Sequence, residues 1–66
     1  MAKKLIDQFI AENKVSVHWD YDSQEYVATF ADAPVDRKEA TSYHTSDRQD
    51  AIDTAKHMAD NPHGWN

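Results

Sequence analysis

His18, Asp20 and Asp22 recur at a spacing of two, which on a strand sets an imidazole and two carboxylates on one face, the side-chain types that hold a divalent cation. A structural metal site needs four ligands held by further hydrogen-bond partners. No second cluster of matching spacing supplies them, so these residues read as strand polarity and no metal ligand is expected. Ser42, His44 and Asp47 have the side chains of a nucleophilic triad but lie in no motif that would assemble one. Gly64 is the only glycine, which excludes a phosphate-cradling glycine loop and a dinucleotide-binding turn. Four histidines and twelve carboxylates would serve as general acid and base only inside a pocket that excludes water. His57 and His63 read as surface residues. The expectation is therefore a non-enzymatic chain, with no catalytic residue and no cofactor.

Such residues need elements to position them, and 66 residues suffice for one domain with one core. The sequence places that domain over residues 1–62, followed by a short tail at 63–66. With no cysteine, neither disulfides nor a thiolate zinc site supplement the apolar core, and stability is expected on the order of 3 to 5 kcal/mol. Apolar residues make up 39% and charged residues 29%, a composition that favours a folded domain over a disordered acidic tail. The longest apolar stretches fall far short of the roughly 20 residues that cross a bilayer, and no secretory run follows the first residues. A cytoplasmic protein without membrane contact is expected.

Leu5, Ile6, Phe9 and Ile10 recur at i, i+1, i+4 and i+5, which predicts an amphipathic helix over residues 3–13. Val15, Val17, Trp19 and Tyr21 then alternate with Ser16, His18, Asp20 and Asp22, the pattern of a half-buried strand. A second β-rich run covers residues 26–31 after a short polar connector. Pairing Tyr21 with Tyr26, Trp19 with Ala28 and Val17 with Phe30 puts the large side chains on one face. The loop of residues 32–38 leads to a third strand over 39–44. Ser46 with Gln49 then forms a capping box for a second helix carrying Ala51, Ile52, Ala55, Met58 and Ala59 on one side and ending at Asn61-Pro62. The expected fold is α+β, in the order helix, strand, strand, strand, helix, with both helices on one face of a three-stranded antiparallel sheet. The other face is left bare, showing Ser16, His18, Asp20, Val27, Thr29 and Ala31.

The net charge is −5. Residues 1–14 carry +1, residues 15–36 carry −5 and residues 37–66 carry −1, so the hairpin region holds the excess. Asp20, Asp22, Glu25, Asp32 and Asp36 occur there without a lysine or arginine, and they define a candidate docking surface with a negative field. Asp is also common in turns for its own reasons. His18 on the bare face joins this candidate partner-binding set, with Tyr43 and Trp65 as the aromatics least committed to the core. Trp19, Tyr21, Tyr26 and Phe30 share the face that must be buried, which argues against a base-stacking platform.

The element order resembles that of the double-stranded-RNA-binding domain, with Leu5 to Ile10 in place of its first helix and Ser46 to Ala59 in place of its second. Where that family opens its second helix with a lysine cluster that grips phosphates, this chain has Asp47, Arg48, Gln49 and Asp50. Residues 15–60 also resemble the small domain of HicB-type antitoxins. The likeness rests on the acidic turn from Asp20 to Glu25, on Tyr26-Val27-Ala28-Thr29-Phe30 with Asp32-Ala33-Pro34, and on the alanine-rich segment from Ser46 to Met58. Val35 stands where that family has a glycine. This second resemblance implies a protein that masks a partner.

Together these readings lead to a small acidic inhibitor or adaptor that docks on a basic surface of a larger, nucleic-acid-handling protein. Phage or mobile-element products of that kind fit such a chain. The alternatives are a nucleic-acid-binding module using Lys3, Lys4, Lys14, Arg37, Lys38, Arg48 and Lys56, an antitoxin of the HicB kind, and a homodimer formed through an exposed strand edge.

Overall fold

A computed structural model describes residues 3–34, 36–37 and 41–62. Four antiparallel strands lie in the order β1-β2-β3-β4: β1 (Lys3–Ile10), β2 (Lys14–Asp20), β3 (Glu25–Phe30) and β4 (Tyr43–Thr45). They are followed by one helix, α1 (Arg48–Asp60). Asp36, Arg37 and Thr41 are also helical, between β3 and β4. The expected three-stranded sheet with two helices is thus corrected to a four-stranded sheet with one long helix on one face.

The correction comes from β1, where a helix was expected. Leu5 pairs with His18 and Asp7 with Val17, so β1 advances two residues while β2 advances one. Ile6 is the extra residue of a β-bulge. A bulge shifts the inward and outward alternation by one, so that residues three apart point the same way. Ile6 and Phe9 both pack against the core, while Leu5 and Ile10 are left 54% and 73% exposed. An odd spacing produced by a bulge has the same apolar pattern as one face of a helix.

The β2–β3 hairpin keeps the expected face but not the expected register. Val15 pairs with Phe30, Val17 with Ala28 and Trp19 with Tyr26, two residues from the alignment predicted by the sequence. A slip of two leaves every side chain on its original face, so hydrophobic alternation does not detect it. The turn sets the register. One carboxylate oxygen of Asp20 accepts hydrogen bonds from the backbone N–H groups of Asp22 (3.0 Å) and Ser23 (3.4 Å). Gln24 closes the turn at φ 54°, leaving Asp20 opposite Glu25.

The third expected strand is β4, which covers Tyr43–Thr45 and pairs with β3 through Tyr26–Thr45, Val27–His44 and Ala28–Tyr43. Residues 39–40 of that expected strand lie outside the described residues, and Thr41 is helical instead of extended. The helix cap is Asp47 instead of Ser46: its side chain accepts from the backbone N–H groups of Gln49 and Asp50, satisfying two of the donors that a helix start leaves open. Ala51, Ala55 and Ala59 are buried on Val15, Val17, Ala28 and Phe30, and methyl side chains let the helix axis come close to the sheet. Asn13 ties the far end down. Its backbone N–H donates to the Ala59 carbonyl at 3.0 Å, and its side-chain amide donates to the carbonyls of Met58 and Asn61, acceptors that a helix end otherwise leaves unpaired.

Candidate functional site: the outer face of the sheet

Partners across antiparallel strands project on the same face, so the register defines the surface opposite α1. Its middle row runs Leu5, His18, Val27, His44 across all four strands. Toward the β2–β3 turn the next row is Lys3, Asp20, Glu25, and on the other side it is Gln8, Ser16, Thr29. Ile10 and Lys14 pair at the far end. Val27 and Ser16 are buried within this face, at 4% and 7% exposure, while Leu5 and Ile10 on its β1 side are exposed.

Hydrogen bonds knit the rows together. The Gln8 amide donates to the Ser16 hydroxyl at 3.2 Å, and the Thr29 and Ser42 hydroxyls lie 3.1 Å apart. His44 Nδ1 meets a Glu25 carboxylate oxygen at 3.0 Å, both side chains being partly exposed. No buried side-chain polar atom among the described residues lacks a partner, and Leu5 and Ile10 stand exposed beside these bonded groups.

Burial, and secondarily the Lys3 charge, lower the pKa of His18 below its ordinary value, because both disfavour a second positive charge. At Asp20, partial desolvation pushes the carboxyl up. The backbone N–H groups of Asp22 and Ser23, the Lys3 charge and the Ser23 hydroxyl outweigh it and hold the pKa below the usual carboxylate value. Asp20 is therefore a structural anion of the turn as well as a surface charge.

The expected site residues divide by location. His18, Asp20 and Glu25 fall on the outer face and Asp22 in the adjoining turn. Asp32 and Asp36 are exposed and follow the opposite end of β3 in the chain, a strand that runs roughly 17 Å from Glu25 to Phe30 at about 3.4 Å per residue. The five carboxylates thus form two groups. Tyr43 pairs with Ala28 on the helix-covered side, and its hydroxyl donates to Asp50 at 2.5 Å. That bond, partial desolvation and the Asp50 charge raise its pKa. Trp65 lies outside the described residues. Among the described residues, no three histidine or acidic side chains are grouped to hold a metal ion, and no helix is long and apolar enough to cross a membrane.

Sequence reasoning missed Leu5, Ile10 and His44 as members of this face. The bulge hid the first two. The contact between His44 and Glu25 depends on the β3–β4 register, which no local signal specified.

Comparison with protein families, curated proteins and solved structures finds no match to this chain.

Proposed function

We propose that the chain is a non-enzymatic binding module, an inhibitor or adaptor, that docks the outer face of its sheet and the adjoining acidic turn onto a basic surface of a larger protein. The observation that carries this reading is the make-up of the face opposite α1: Leu5 and Ile10 stand exposed on its β1 side, and Asp20 and Glu25 pair in the row at its turn end. Carboxylates at the rim of such a face steer a basic partner and select against acidic ones, and the exposed aliphatic side chains supply the apolar contact. The partner-masking role suggested by the antitoxin resemblance fits the same surface. Lys3 and Lys14 lie on the outer face at opposite ends of β2, whereas Lys56 reaches over Phe9 beside α1.

Affinity capture from a host lysate tests the reading. The wild-type chain is expected to retain a specific basic partner, and a chain with Asp22→Ser and Glu25→Gln is expected to retain far less. Equal retention by the two contradicts the reading. So does tight binding of labelled RNA or DNA that weakens steeply with salt, since that behaviour marks phosphate contacts.

A further inference from the structure

At the end of β1, that strand and the last turns of α1 flank an open groove of about 300 Å³ lined by Phe9, Ile10, Ala11, Lys56, Ala59 and Asp60. Its floor and walls are apolar. Ile10, on one wall, is the most exposed large apolar side chain among the described residues, at 73%. Lys56 and Asp60 stand one helical turn apart on the rim, the Lys56 ammonium 5.8 Å from the Phe9 ring centroid. Neither forms an ion pair among the described residues. An apolar slot with a cation and an anion at its edge, neither in an ion pair among the described residues, is complementary to a bulky apolar side chain flanked by opposite charges.

We propose that this groove receives a peptide segment of a partner protein, inserting one large apolar side chain while a neighbouring carboxylate meets Lys56 and a neighbouring basic group meets Asp60. The site is separate from the acidic turn and shares only Ile10 with the outer sheet face, so Lys56, Ala59 and Asp60 distinguish it from docking through that face. A partner held by the outer face alone would be insensitive to changes in the groove.

The test is a titration of the ¹⁵N-labelled full chain with two capped tripeptides. One consists of lysine, tryptophan and glutamate; the other is the neutral analogue with glutamine on both sides of tryptophan. A single anchor of this size is expected to bind weakly, with Kd on the order of a millimolar, and to shift the amides of Phe9, Ile10, Ala11 and Ala59. Lys56→Gln and Asp60→Asn should each weaken the charged peptide about two- to fivefold and leave the neutral one unchanged. Ala11→Leu, at an exposed position on the groove wall, should abolish both while leaving the remaining amide spectrum in place. Absence of localised shifts, shifts confined to the outer sheet face, or equal binding of the charged peptide by wild type and both charge variants would overturn the proposal.

Discussion

The two faces of the sheet are built from the same strands, yet they differ in what holds them. On the covered face, Val15, Val17 and Ala28 are fully buried against three alanines of α1, and burying each valine contributes roughly 1.5–3 kcal/mol. On the outer face, hydroxyl, amide and imidazole groups bond to one another while the aliphatic side chains of Leu5 and Ile10 stay in water. Val27 and Ser16 are buried on the outer side as well, so it is the β1 side of that face, at Leu5 and Ile10, that is free to vary without unfolding the domain. The same division explains how a strand as apolar as β1 is tolerated at a sheet edge. Its bulge bends the ladder, Lys3 and Lys4 charge its start, and the Asp7 carboxylate accepts from the neighbouring Gln8 N–H at 2.8 Å, occupying a donor that another strand would seek.

The sharpest way to break the contrast is to cut into the covered side. Phe30→Ala should cost about 3–5 kcal/mol, enough to leave the domain largely unfolded at 25 °C, as read by urea titration followed by circular dichroism. Asp47→Ala removes the cap of the helix that does the covering and should cost about 1 kcal/mol in the same titration.

How much of this was legible in the sequence depends on which signal each element carried. The alternation from Val15 to Trp19 and the alanine spacing of α1 survive intact because each repeats one period over its whole length. For β1 the signal was present and misleading: Ile6 and Phe9 lie three apart because a bulge separates them, a tertiary feature that imitates helical periodicity. In the hairpin, alternation fixes the face but is blind to even slips, and the Asp20 turn made the difference. The carboxylates of the candidate site were visible as residues, but not as two groups, since their separation depends on strand lengths and direction.

Smaller effects sharpen the comparison from the outer side. The folded pKa of His18 lies below the unfolded value of about 6.5, so the folded state favours the neutral ring. The stability this provides is fully present above that value and is lost as pH falls from it toward the folded pKa. Acid titration of His18→Gln should therefore show a shallower loss of stability through this window than wild type, whereas parallel profiles would place the pH response elsewhere. Leu5→Ser is expected to change the urea midpoint least, by under about 0.5 kcal/mol. A larger loss would mean that Leu5 belongs to the core and that the two faces are not distinct.

The most direct measurement is quantitative capture of the partner by Leu5→Arg, which adds a cation on the exposed β1 side of the outer face, beside His57→Arg, which adds the same charge to an exposed position on α1. Both proteins should keep the wild-type circular dichroism spectrum. Leu5→Arg should lose at least about 90% of the captured partner, a tenfold weakening that corresponds to about 1.4 kcal/mol, while His57→Arg retains it. Undiminished capture by Leu5→Arg would contradict assignment of binding to the outer face.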